Sequence, residues 1–181
     1  MTEFVVLVDQ QGHPCGTQEK LTAHELGQRH LAFSVLLYRR RGDVTELLLQ
    51  QRALHKYHCG GLWTNTCCSH PRPDEAIEAA VYRRLREEIN LTLTTPLVDL
   101  SPFEYRAALS NGLVEHEWDH CFLAPYDGPL PPANPDEVMA LEWQPLNHVC
   151  EHLAAHPHCY TPWFGQVLAK ASTWLQQHQV T

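Results

Sequence analysis

The chain has no apolar run near the ~20 residues a membrane helix needs, no C-x-x-C pair, no repeat and no long Lys/Arg run. The first absence argues against a membrane protein. The second, with an odd count of seven cysteines, argues against a disulfide framework or a zinc finger and for reduced thiols in a cytoplasm. The last, with a formal net charge of -8, argues against a nucleic-acid binder. The N-terminus, Met1 to Asp9, is acidic where a signal peptide would be basic, and reads as a strand rather than an export signal.

What is present suits a single domain over residues 1–181, long enough to bury a core without covalent staples. Thirteen histidines are enough that a metal site must be considered. Apolar runs predict strands at Phe4–Val8, Ala32–Tyr38, Glu46–Gln51, Leu62–Cys68 and Leu113–Ala124. Arg40–Asp43, with Gly42, reads as a hairpin turn. Pro71 to Pro73 breaks the chain before a helix with Asp74 as N-cap, ended by Asn90 in a left-handed conformation. Tyr126–Pro135 reads as an irregular loop, and Leu146–Leu153 and Pro162–Leu175 as amphipathic closing helices. The class is α/β, a mixed sheet flanked by helices.

On the Asp74–Asn90 helix, Ile77, Ala80, Val81, Leu85 and Ile89 share one side, and at 3.6 residues per turn Glu88 falls inside that stripe. A carboxylate aimed at a core must be paired or bound to a cation. Charge patterning by itself favours an ion pair with Arg84 one turn earlier. The wider pattern Ser69-x5-Glu75-x7-Arg83-Arg84-Leu85-Arg86-Glu87-Glu88-Ile89-Asn90-Leu91 resembles the Nudix box, whose helix carboxylates hold a divalent metal against a diphosphate. Ser69 and Asn90 replace its glycines. Arg84 replaces a glutamate, which argues against ordinary pyrophosphate hydrolysis.

Upstream, Trp63-Thr64-Asn65-Thr66-Cys67-Cys68-Ser69-His70-Pro71 resembles the catalytic strand of the type I isopentenyl diphosphate isomerases, which have the Nudix fold. Glu19-Lys20, Ala23-His24, His30 to Ser34, Arg52-Ala53-Leu54 with Lys56, Tyr105-Arg106-Ala107, Glu115-His116-Glu117 and Pro162-Trp163 extend the likeness along nearly the whole chain. The resemblance implies metal ligands at His24, His30, His70, Glu115 and Glu117, with Cys68 and Glu88 contributing to metal binding. It implies Mn²⁺, Zn²⁺ or Mg²⁺ at the His/Glu site, a choice that imidazole and carboxylate donors suit, and Mg²⁺ with the substrate diphosphate.

Glu115 and Glu117, two apart on a strand, share a face roughly 7 Å apart. Taken without the resemblance, that face reads as solvent-exposed. The resemblance further nominates Lys20, Arg52, Lys56 and Arg84 for the diphosphate, Cys68 and Glu117 as acid and base with Tyr105 assisting, and Trp163 against a cationic intermediate. The implied reaction interconverts isopentenyl and dimethylallyl diphosphate by a 1,3-proton shift, in a monomer or homodimer. A nucleotide pyrophosphohydrolase is the competing reading, and a non-enzymatic module that kept the fold is a third. Alternation along the Trp63–Cys68 strand sends Cys67 and Cys68 to opposite faces, with Cys68 toward substrate and Cys67 into packing.

Overall fold

The computed structural model describes residues 2–56 and 58–179. Among them, one mixed sheet of ten strands carries four α-helices. Its centre is β3 (His30–Arg41), preceded by β1 (Phe4–Val8), β2 (Pro14–Glu19) and α1 (Lys20–Leu26). The next strands are β4 (Val44–Arg52), β5 (Trp63–Thr64) and β6 (Cys67–Ser69). Then come α2 (Ile77–Ile89), β7 (Val98–Asp99), β8 (Phe103–Ala108), β9 (Val114–Pro125), β10 (Val138–Pro145), α3 (Leu146–Ala155) and α4 (Phe164–Gln177).

β3 runs parallel to β9, with His30 opposite Glu117 and Tyr38 opposite Pro125. On its other edge it pairs with β6 at Phe33–Val35 and with β4 from Leu37 to Arg41. The β3–β4 hairpin closes at Gly42, whose φ of 61° is one glycine adopts without a Cβ penalty.

Both faces of the sheet are covered, which explains why β3 reads as a nearly continuous apolar run. Phe33, Val35 and Leu37 pack with Ala80, Val81, Leu85 and Ile89 of α2 on one face. Leu36, Leu47, Leu49 and Leu123 pack with Phe164, Val167, Leu168 and Ala171 of α4 on the other. Burying each large side chain contributes ~1.5–3 kcal/mol. The α2 stripe therefore anchors the helix to the sheet and fixes where Arg84 and Glu88 point.

Two expectations need correction. The helix begins at Ile77, not Asp74: Ala76 is its N-cap and Asp74 sits at φ 65°, outside helical geometry. Glu75 is occupied by Arg83, at 2.7 and 2.8 Å, and by the Arg72 amide. Asn90 does end the helix, at φ 54°.

The expected strand Leu62–Cys68 is instead two short strands separated by a bend at Asn65–Thr66. The bend lets the chain cross from β4 to β3 where those two strands diverge. Its backbone groups are buried, so side chains satisfy them. Asn65 Nδ2 donates to Val35 O and Cys67 O, Gln50 Nε2 donates to Thr66 O at 2.7 Å, and Thr66 Oγ1 accepts from Leu37 N at 2.9 Å. Elements β2, α1, β8 and β10 carry mixed polar and charged residues and escaped the apolar-run reading.

Candidate active site

Strand period 2 places Glu115, Glu117 and Asp119 of β9 on one face, and that face is the buried one: they are 1%, 7% and 1% exposed. The solvent-face reading of this strand is thereby overturned. Inward carboxylates require partners. His24 Nε2 from α1 lies 3.3 Å from Glu115 Oε1, and His58 Nε2 2.8 Å from the same atom. Near Glu117 Oε2 lie His30 Nε2 from β3, at 3.4 Å, and His70 Nε2 from the end of β6, at 2.7 Å. Tyr105, opposite Glu117 in the β8–β9 register, donates its hydroxyl to Glu117 Oε1. Ser34 donates to Asp119 Oδ2 at 2.8 Å.

These residues suit a metal ion. His24 Nδ1 lies 2.7 Å from Lys20 O and His30 Nδ1 2.8 Å from Gln28 O. A carbonyl can only accept, so Nδ1 carries the proton and the Nε2 lone pair of each ring faces inward, as in an oriented ligand set. One donor atom from each of His24, His30, His70 and Glu117 lies within 4.8 Å of the others, with Glu115 beside His24. The buried Nε2 of His30 has no hydrogen-bond partner among the described residues, a cost that a bound cation would remove. Burial, then the neighbouring His30, holds His70 well below its ordinary pKa, keeping it neutral and able to donate a lone pair.

Above this cluster opens a pocket with about 430 Å³ of empty space, lined by Lys20, Arg52, Lys56 and Arg84 together with Cys68, His70, Glu88, Glu115, Glu117 and Trp163. Every one of the expected site residues thus lines the pocket or, for His24, His30 and Tyr105, touches a carboxylate in its wall.

Three of the four cations already hold carboxylates. Arg84 binds Glu88 and Glu87, each at 2.7 Å, so the i,i+4 pair suggested by charge patterning does form. Lys56 meets Glu137 at 2.6 Å and Lys20 meets Glu3 at 3.0 Å. Arg52 differs: it is 5% exposed, and no carboxylate among the described residues pairs with it within 4 Å. Its guanidinium reaches Cys68 Sγ at 3.7 Å and His58 O at 3.3 Å, and sits 5.8 Å from the Trp163 ring. A buried cation without a counter-charge favours an anionic ligand.

The cysteine doublet divides between the two faces. Cys67 is fully buried among the residues under α2, where its thiol donates to Glu88 Oε2 at 3.0 Å. Cys68 lines the pocket. Burial raises the Cys68 thiol far above its ordinary pKa despite the opposing pull of Arg52, so it stands as a neutral thiol. Burial also works against ionised Glu117, yet the Tyr105 hydroxyl and the other polar groups around it win, lowering its pKa to about 2. The pocket therefore presents a protonated thiol and an ionised carboxylate. Asp119, buried and facing Glu117, is pushed well above the carboxylate range.

Two site residues escaped the sequence reading. Asp119 extends the alternation of Glu115 and Glu117 by one step, a signal that was available. His58 gave none, because its contact with Glu115 spans 57 positions along the chain.

A NUDIX domain profile matches residues 28–164. Among solved structures, DR0079 from Deinococcus radiodurans superposes with a TM-score of 0.74 at 17% identity, covering 93% of this chain and 98% of its own. A MutT NUDIX hydrolase from Burkholderia pseudomallei gives 0.61 at 23% identity, covering 79% and 98%. These likenesses establish the fold. At the sequence level, an isopentenyl-diphosphate Delta-isomerase of Photobacterium profundum is 52% identical over 166 residues, 92% of each chain. One from Aliivibrio fischeri is 49% identical over 179 residues, 98% of this chain and 99% of its own. With a NUDIX domain over most of its length and such relatives matching nearly end to end, the chain belongs to the isopentenyl-diphosphate Delta-isomerases of the Nudix superfamily.

Proposed function

We propose that this protein interconverts isopentenyl and dimethylallyl diphosphate by a metal-dependent 1,3-proton shift. The observation that carries the proposal is that one pocket holds a neutral thiol, an ionised carboxylate and a cationic end. Cys68 stands on β6 and Glu117 on β9, with β3 between them, so two proton-transfer groups approach a substrate from different strands.

The chemistry asks for little else. One group delivers a proton to the terminal carbon of the alkene, leaving tertiary carbocation character at the branched carbon. The other removes a proton from the carbon on the far side, and the double bond re-forms there. Proton count and charge balance. Tyr105 holds Glu117 in place, and Trp163, 3% exposed, offers a π face that stabilises cationic character by ~0.5–2 kcal/mol while excluding water. Lys20, Arg52, Lys56 and Arg84 would seat the diphosphate, with guanidiniums matching phosphate oxygens in pairs.

His24, His30, His70, Glu115 and Glu117 would hold Mn²⁺, Zn²⁺ or Mg²⁺, and Glu88 would hold in part a Mg²⁺ accompanying the diphosphate. A bound divalent ion supplies positive charge that sets the acidity of Glu117. Arg84 stands where a hydrolase of this fold carries a carboxylate, which weighs against nucleotide hydrolysis. We place the enzyme in the cytoplasm, where its seven free cysteines would stay reduced. No described helix is long and apolar enough to cross a membrane.

The test is incubation of the purified protein with isopentenyl diphosphate, Mg²⁺ and Mn²⁺, with products identified by NMR. Dimethylallyl diphosphate is expected. Its absence from a folded, metal-loaded sample that instead releases phosphate from nucleoside diphosphate derivatives would select the hydrolase.

A further inference from the structure

His58 is the one imidazole at the His/Glu cluster that points at a carboxylate without belonging to the converging donor group. That group comprises His24, His30, His70 and Glu117. His58 is 8% exposed, and its Nε2 lies 2.8 Å from Glu115 Oε1. The Arg52 guanidinium donates to its backbone carbonyl at 3.3 Å. One residue thus touches a candidate metal ligand and the only clamp cation without a carboxylate partner among the described residues.

In the loop that carries His58, described residues on either side of it are tied at several points. At its neck Arg52 N donates to Leu62 O and Gly61 N to Arg52 O, both at 2.9 Å. A Cβ at Gly60 would lie 2.4 Å from Leu54 O, so the loop closes at a distance only glycine allows. Farther along, Ala53 N donates to Glu137 O at 3.1 Å, and the Glu137 carboxylate holds Lys56 of the same loop. A single pinned loop therefore presents Lys56 to the phosphate end and His58 to the metal end.

We infer that His58 is a positioning residue: its ring Nε2–H holds the Glu115 carboxylate in orientation at the metal end, while its backbone carbonyl is held by Arg52. This rests on the proposed metal centre. Strand β9 brings Glu115 to the cluster, but the strand backbone does not fix the rotation of its carboxylate about the terminal bond. A donor fixed at Oε1 sets the rotation of the carboxylate beside His24, and outer partners of this kind typically change metal affinity by ~10–100-fold.

The experiment is Mn²⁺ binding to the full chain by isothermal titration, for wild type, His58→Ala, His58→Gln and His24→Ala, with thermal melting of each. His58→Ala is expected to weaken Mn²⁺ by about 10–100-fold. His58→Gln, whose amide still donates, should recover most of that loss. If His24→Ala loses the ion while His58→Ala binds as wild type, the inference falls and the metal centre stands. Equal loss in the Ala and Gln variants, with wild-type melting, also overturns it, since donation alone would not then be the cause. If His24→Ala binds like wild type, the metal-centre reading fails, and this inference with it.

Discussion

The two ends of the pocket are built on different terms. The metal end gathers its groups from β3, β6, β9 and α1, packed elements whose backbones cannot shift without breaking the sheet. Its donors are buried and pre-aimed, with Nδ1–H bonds fixing two of the imidazoles. The phosphate end gathers Lys20, Arg52, Lys56 and Arg84 from a helix start, a strand end, a loop and a helix face. Three of those four hold carboxylates that a diphosphate would have to displace or share. One end is thus preorganised for a small hard ion, while the other exchanges partners on binding. Preorganisation gives affinity without a reorganisation cost, whereas exchangeable pairs give an anion entry and exit.

The largest effect that separates the ends is removal of the metal. Chelation should abolish isomerase turnover, and added Mn²⁺ or Mg²⁺ should restore it. Melting temperature should fall on chelation and recover with the ion, because converging lone pairs and carboxylates then lose their counter-charge. Full turnover in a rigorously stripped sample would erase the distinction drawn between the two ends.

Cys68→Ala comes next. It removes a proton-transfer group but no clamp, so kcat should fall ~10²–10⁴-fold while Mn²⁺ and diphosphate affinities hold. If binding fell instead of kcat, Cys68 would belong to the phosphate end.

Arg84→Glu tests the phosphate end. It replaces a cation by a fourth carboxylate beside Glu87, Glu88 and Glu137. Diphosphate affinity should drop by about 2–3 kcal/mol, or ~100-fold, with helix content by circular dichroism unchanged because Glu is a good helix former. Unaltered affinity would make Arg84 only the structural partner of Glu88.

Cys67→Ala should be the mildest. A small cavity and the lost contact with Glu88 are expected to cost ~1–2 kcal/mol of stability in denaturant titration, with turnover changed less than about 10-fold. A loss as large as that of Cys68→Ala would reverse the assignment of the doublet.

Much of this was legible before any coordinates. Period 3.6 put Glu88 in the apolar stripe of α2, and it is 4% exposed. Period 2 put Glu115 and Glu117 on one face of β9. Periodicity, however, says which residues share a face and not which way that face looks. Glu115 and Glu117 read as solvent-facing because carboxylates are mostly exposed. They are buried because α1 and the β4–β5 loop bring His24 and His58 to Glu115, at 3.3 and 2.8 Å, and β3 and the end of β6 bring His30 and His70 to Glu117, at 3.4 and 2.7 Å.

By itself, then, the sequence determined the local periodicities, the β3–β4 turn at Gly42, the end of α2 at Asn90 and, through ordered motifs, the family. Each depends on residues close along the chain or on the order in which short motifs occur. Only the tertiary structure decided that the Trp63–Ser69 segment bends at Asn65–Thr66, because the bend answers to β3 and β4 diverging beneath it. Only it decided that His58 meets Glu115 and that Arg52 has no carboxylate within 4 Å among the described residues. Those are long-range contacts between polar side chains, and no local propensity encodes which distant polar group a buried one will find.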